Sequence, residues 1–222
     1  MKTPLLLLNF NRPHHTEGLI NNLRLIRPSH IYFAIDGPRV GREDDVENCR
    51  LVENTLNFID WPCDIKLSKN KTNLGLRRNV KLNLDWFFNE NETGIILEDD
   101  IRFGTDFFKY CNHALENYHT DHRVGVISGN NLMSHLKDYP RKLDDSFLCR
   151  IFHCWGWATW RDCWALYDDS IELDDNFFEH QLPLILKSDP MSRYLGLKNG
   201  DIIKITRNSQ SSGEYIVYRC CM

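Results

Sequence analysis

The sequence predicts an α/β protein: an open, mostly parallel sheet with helices on both faces, followed by a small α+β tail. Three observations carry this. Short apolar runs alternate along the chain with segments whose apolar residues recur at helical spacing, the pattern of consecutive βα units. A polar cluster follows each of the main runs, and in open α/β sheets ligands bind at such strand ends. The composition also breaks near residue 179: all six Trp lie between 61 and 164, and residues 180–222 carry a net charge of +3 against −7 for the rest. The expected division is a head over 1–179 and a tail over 180–222.

Leu5 to Phe10 is read as the first strand, stopped by Asn11-Arg12-Pro13. From His15 to Ile26, Leu19, Leu23 and Ile26 suit one helix face. Ile31 to Ile35 is a second strand ending at the turn signal Asp36-Gly37-Pro38. A helix follows between Glu43 and Ile59, on Val46, Cys49, Val52, Leu56 and Ile59. Ile65 to Leu67 is a third strand, followed by Asn73-Leu74-Gly75. Leu76, Val80, Leu84 and Phe87 mark the next helix. The apolar run of Gly94-Ile95-Ile96-Leu97-Glu98-Asp99-Asp100 reads as a buried central strand. Phe107, Cys111, Ala114 or Leu115, and Tyr118 mark a helix after it, and Val124 to Ile127 a fifth strand.

The three carboxylates that end the central strand repel one another and resist desolvation. They suit hard oxygen coordination of Mn²⁺ or Mg²⁺, with Glu98 and Asp100 on one face of the extended chain and Asp99 on the other. An acidic strand-to-loop junction on the surface is the plainer alternative. Other chemistries find less support. No glycine-rich dinucleotide fingerprint follows the first strand, and no P-loop appears. The eight Cys form no CxxC pair and read as reduced, mostly buried thiols. The overall charge of −4 gives no nucleic-acid signal. No stretch approaches the ~20 apolar residues of a membrane span, so a cytoplasmic protein is expected.

The ordered set FNRP (10–13), AIDGP (34–38), NLGLRRNV (73–80), IILEDD (95–100) and HCWGWATW (153–160) resembles the GT-A glycosyltransferases. Within them it resembles the family-2-like nucleotide-diphospho-sugar transferases, over residues 3 to about 172. The resemblance implies a nucleotide sugar, UDP-linked, as donor. It implies that Asn11 and Arg12 lie beside the nucleotide, that Asp36 bonds the base, and that Arg77 and Asn79 face the nucleotide and diphosphate. Asp100 is then the direct ligand of Mn²⁺ or Mg²⁺, with Asp99 and Glu98 on ribose, sugar or metal water. Trp155 or Trp157 could face the donor sugar, or both could be core; Trp160 and Trp164, four apart on an expected helix, are read as core. Inverting chemistry needs a base on the acceptor hydroxyl. In the resembled family it follows the Trp cluster in a Trp-Asp-aromatic-x-Trp segment. This sequence has none there, so no catalytic base is assigned, and Asp168, Asp169, Asp174 and Asp175 read as an acidic loop.

The tail resembles a second family. Asp189-Pro190, Arg193-Tyr194-Leu195-Gly196, Gly200-Asp201, Ile202 to Ile205, Arg207, Gly213 and Tyr215 to Arg219 match the C-terminal end of the fifth subunit of eukaryotic RNA polymerases and of its archaeal counterpart. This implies docking on the largest polymerase subunit rather than on nucleic acid, and a nuclear setting becomes an alternative. From its residues the tail reads as two short helical turns, begun at Pro190 and ended at Gly196 or Gly200, then a hairpin around Ser209 to Gly213. A head and tail of such different kinds suggest a fusion, as a large DNA virus could carry. Three readings follow: a metal-dependent glycosyltransferase lacking its base-bearing segment, a polymerase-associated protein acting through its tail, and a fusion product without function.

Overall fold

The structure, a computed structural model, describes residues 2–130, 152–168, 184–185, 198, 202–209 and 213–221. It divides into two compact units, Met1–Tyr167 and Asp168–Met222.

The first unit is built on a six-stranded sheet of order β3-β2-β1-β4-β6-β5. Its strands are β1 (Leu5–Asn9), β2 (His30–Ile35), β3 (Asp64–Lys69), β4 (Thr93–Glu98), β5 (Val126–Ser128) and β6 (Trp157–Trp160). Strands β1 to β4 are mutually parallel. The helices are α1 (Pro13–Leu23), α2 (Glu43–Asn54), α3 (Leu76–Glu90), α4 (Thr105–Asn117) and the short α5 (Arg161–Trp164). The helix expected to reach Ile59 instead stops at Asn54 and tightens into a 3₁₀ turn, Thr55–Phe58.

Side-chain alternation along the strands sorts the core into two layers. Leu5, Leu7, Ile31, Phe33, Ile35, Ile95 and Leu97 point to one face and pack with residues of α1, α2 and α4. Leu6, Leu8, Tyr32, Ala34 and Ile96 point to the other and pack against Leu84, Phe87 and Phe88 of α3. Strand β4 lies between β1 and β6. Its residues Gly94 to Leu97 are buried on both faces, as its unbroken apolar run requires.

The mostly parallel sheet carries one reversed strand: β6 runs antiparallel to both β4 and β5 and separates them. One expectation is corrected. Trp160 and Trp164 do not share a helix: Trp160 ends β6, and Trp164 ends the four-residue α5. All four residues of β6 are buried, so nothing in their polarity separates the two faces of a strand. The Trp160 indole donates to the Leu115 carbonyl and the Trp164 indole to Asp85, each satisfying its one polar atom.

In the second unit the expected hairpin is present. β8 (Ile202–Ser209) pairs antiparallel with β9 (Gly213–Cys221), and β7 (Leu184–Ile185) adds a parallel pairing at the end of β9. Apart from Lys198, the residues of the helical turns expected between Pro190 and Gly200, and the acidic residues Asp169, Asp174 and Asp175, lie outside the described residues. Among the described residues no helix is long and apolar enough to cross a membrane.

Candidate functional site

The carboxyl ends of β1 to β4 share one edge of the sheet, because the four strands are parallel. From β1 the chain winds outward to β2 and β3, then returns to the other side of β1 as β4. The order reverses between β1 and β4, and the crevice outside such a reversal is where open α/β sheets bind ligands.

Arg12 and the acidic turn meet at that point. Strand β4 ends at Glu98, so Asp99 and Asp100 sit in the turn beyond it and not on alternating faces of a strand. Arg12 Nε lies 3.2 Å from Asp99 Oδ2 and its Nη2 lies 2.6 Å from Asp99 Oδ1. Its Nη1 lies 3.0 Å from Asp100 Oδ2. The Nη2 contact is a close charge pair without the alignment of a hydrogen bond, which leaves Asp99 Oδ1 a buried acceptor with no aligned donor. Asp99 is 1% exposed at its side chain and Asp100 42%. Burial pushes the Asp99 carboxyl up to about 6, against the opposing pull of Arg12. Burial also raises Glu98, with Asp100 and Asp99 adding to the effect. Burial works against the charged Arg12 guanidinium, but Asp99 and Asp100 outweigh it and hold it firmly protonated.

Asn11 sits one residue earlier and donates to Asp45 Oδ1 at 2.6 Å. Arg39 grips the same carboxylate, Nε to Oδ2 at 2.6 Å and Nη2 to Oδ1 at 2.9 Å. Its guanidinium also lies over the Phe10 ring, 5.5 Å from the centroid. These contacts tie the end of β1 to the start of α2. The Arg39 hydrogen bonds hold the Asp45 carboxyl well below the usual range, against burial and with help from Asn11. A depressed folded value favours the ionised form. Its stabilisation is therefore full above the ordinary carboxylate value of about 4 and fades as pH falls below it. The deficit in melting temperature of Asp45→Asn against the parent is expected to be largest near pH 7 and to shrink progressively below pH 4.

Asp36 is buried, and its carboxylate accepts four hydrogen bonds from the chain itself. Gly37 N (2.9 Å), Leu74 N (3.0 Å) and Asn70 Nδ2 (3.0 Å) reach Oδ1, and Asn73 Nδ2 (2.8 Å) reaches Oδ2. Asn70 Nδ2 also donates to Asn79 Oδ1, which takes a second bond from Asn83 Nδ2. Asn79 thus faces inward along a chain of amides. Arg77, two residues earlier on α3 and on the opposite side of the helix, is exposed. Gly75 starts this helix at φ +76°, the left-handed region that disfavours side chains. A Cβ on Gly37 would lie 2.4 Å from the Thr72 backbone carbon and 2.5 Å from its nitrogen, a contact that backbone cannot relieve cheaply. Gly37→Ala is expected to cost about 1–3 kcal/mol, measured by the urea midpoint.

Trp157 is buried in β6 against the α3-side core, edge-on to Phe152. Trp155 is 56% exposed and stands just before that strand. The structure therefore brings together Arg12, Asp99 and Asp100 in one group, Asn11 with Asp45 in a second, and Asp36 with Asn79 in a third. Arg39, Asp45, Asn70 and Asn83 belong to these groups and were not anticipated. The one sequence signal for them is the spacing of Asn79 and Asn83, four apart on a helix, which stacks two amides.

A divalent cation is implied at Asp99 and Asp100 by the motif resemblance. Among the described residues no three His, Cys, Asp or Glu side chains converge on a point. Three of the four carboxylate oxygens of Asp99 and Asp100 lie within 3.2 Å of Arg12 nitrogens. With Arg12 so placed, this donor set does not fit a divalent cation.

Fold and site together define the head as an α/β domain with a charged crevice at the sheet's reversal point. Comparison with known proteins bears on the other end of the chain. Residues 175–221 match the family model for the C-terminal domain of RNA polymerase Rpb5. Over 39 residues the chain is 62% identical to DNA-directed RNA polymerase subunit Rpo5 of Sulfurisphaera tokodaii, covering 18% of this chain and 46% of that protein. Over 44 residues it is 50% identical to the Dictyostelium discoideum subunit rpabc1 of DNA-directed RNA polymerases I, II and III, covering 20% of this chain and 22% of that one. The chain thus spans less than half the length of either relative.

Proposed function

We propose that this chain acts in transcription, as a component or associate of a DNA-directed RNA polymerase, through its C-terminal segment. The observations that carry this are the match of residues 175–221 to the family model and the 62% identity over 39 residues to a polymerase subunit. That stretch lies within the second compact unit, and a hairpin needs a packing partner to be stable. The partner proposed is the largest polymerase subunit, and the location is wherever that polymerase works, nucleus or cytoplasm. Affinity purification of the tagged full chain from expressing cells tests it. Stoichiometric recovery of the largest polymerase subunit is expected; its absence from a folded, expressed chain overturns the reading.

A second reading concerns the head: it holds a UDP-linked nucleotide sugar at the sheet's reversal point, as its GT-A-like motifs imply, and would serve a glycosyltransferase. The specific observation in its favour is the meeting of Arg12 with Asp99 and Asp100 at that point. Asn11, Asp36, Arg77, Asn79 and Glu98 would line the donor site, with exposed Trp155 better placed than buried Trp157 to stack on a sugar. The Mn²⁺ or Mg²⁺ of the resemblance would enter this reading only with Arg12 moved off Asp99 and Asp100. Calorimetric titration of UDP and UDP-sugars into the full chain decides it: micromolar binding supports the reading, and a folded chain that binds none of them rejects it.

A further inference from the structure

The acidic turn already holds a cation, and that cation belongs to the chain. Arg12 is set by backbone. It stands three residues beyond the end of β1 and directly precedes Pro13, which disfavours the helical region for it; its φ is −118° and ψ 72°. Its carbonyl accepts from His15 N and Thr16 N at 3.1 Å each, and from Thr16 Oγ1 at 3.2 Å. The residue is thus fixed where α1 begins. Because β1 and β4 are neighbours in register, Leu8 beside Glu98, its side chain emerges next to the end of β4.

The guanidinium fork then spans two carboxylates. Nε and Nη2 face Asp99, and Nη1 faces Asp100. A guanidinium stays protonated at any working pH and matches paired carboxylate oxygens in shape. Mg²⁺ demands near-octahedral oxygens at about 2.0–2.1 Å. At Asp99 and Asp100 it would compete for three of the four oxygens, and would face a full positive charge across a few ångströms.

We propose that Arg12 is the resident counter-ion of the Glu98-Asp99-Asp100 turn, standing where a divalent cation would otherwise sit and keeping it out. Removing the guanidinium opens a divalent-cation site. This holds whether or not the head takes a nucleotide sugar.

The test is titration of Mn²⁺ alone into the full chain at neutral pH, followed by the electron paramagnetic resonance of the free ion. Arg12→Gln is expected to bind Mn²⁺ at least tenfold more tightly than the parent. Adding Asp100→Asn to it should erase the gain. Arg102→Gln removes the same charge from an exposed position just beyond the turn and is expected to change affinity less than twofold. Equal or weaker binding by a folded Arg12→Gln overturns the proposal. So does a gain that survives Asp100→Asn, or an equal gain from Arg102→Gln, which would mark a general field effect. If Arg12→Gln does not fold, Arg12→Lys keeps the charge and loses the fork. It should bind Mn²⁺ at least threefold more tightly than the parent, and unchanged affinity overturns the proposal.

Discussion

Deleting residues 175–221 is expected to abolish retention of RNA polymerase by this chain, lowering affinity for the largest subunit at least a hundredfold, about 2.8 kcal/mol. The deleted stretch is the part matched by the Rpb5 C-terminal domain model. All of β8 pairs with β9, Ile202 with Cys220 through Ser209 with Gly213, so the deletion removes a complete hairpin. None of the strands or helices of the first unit is cut, since that unit ends at Tyr167. The readout is co-purification of the largest subunit with full-length and truncated chains, with circular dichroism to confirm that the truncated chain keeps its head. Retention of polymerase by the truncated chain would move the interaction to the head and end the tail reading.

Asp36→Asn is expected to destabilise the head by about 3 kcal/mol. Hydrogen bonds to a charged acceptor each contribute roughly 1.5–3 kcal/mol, and stranded buried donors add their own desolvation cost. Asp36 receives two backbone and two side-chain donors. An asparagine there turns one acceptor into a donor facing donors. In a domain of this size about 3 kcal/mol corresponds to a fall of roughly 6–12 °C in melting temperature, read by thermal denaturation of the full chain. The result separates two roles for the residue. A carboxylate that only met a nucleotide base would leave the melting temperature of the ligand-free protein unchanged. One that knots the ends of β2 and β3 to the start of α3 would not.

The head's strands β1 to β4 and the helices between them were legible in the sequence because each carries its own periodicity. The apolar run Ile95–Leu97 is buried as read, and of Leu76, Val80, Leu84 and Phe87 on α3 the last two are buried and Val80 packs against them, while Leu76 at the helix start is exposed. Strand β6 was not legible. Trp157-Ala158-Thr159-Trp160 is four residues long and buried throughout. It is a strand because Ile96 and Ser128 flank it on either side, and those neighbours are remote in sequence.

For the site, the sequence by itself placed Asn11-Arg12, Asp36-Gly37, Asn73 to Asn79 and Glu98 to Asp100 at strand ends, because polar residues directly after apolar strands must lie where the chain leaves the core. It also carried the tail's kinship with polymerase subunits, since that is written in residue identities over 39 positions. Only the tertiary structure decided which polar residue meets which. Arg12 reaches Asp99 across 87 positions of sequence, and Asn73 reaches Asp36 across 37. Charge complementarity and donor counts act over a few ångströms. They are settled when parallel strands bring their carboxyl ends to one edge, and no local pattern records the outcome.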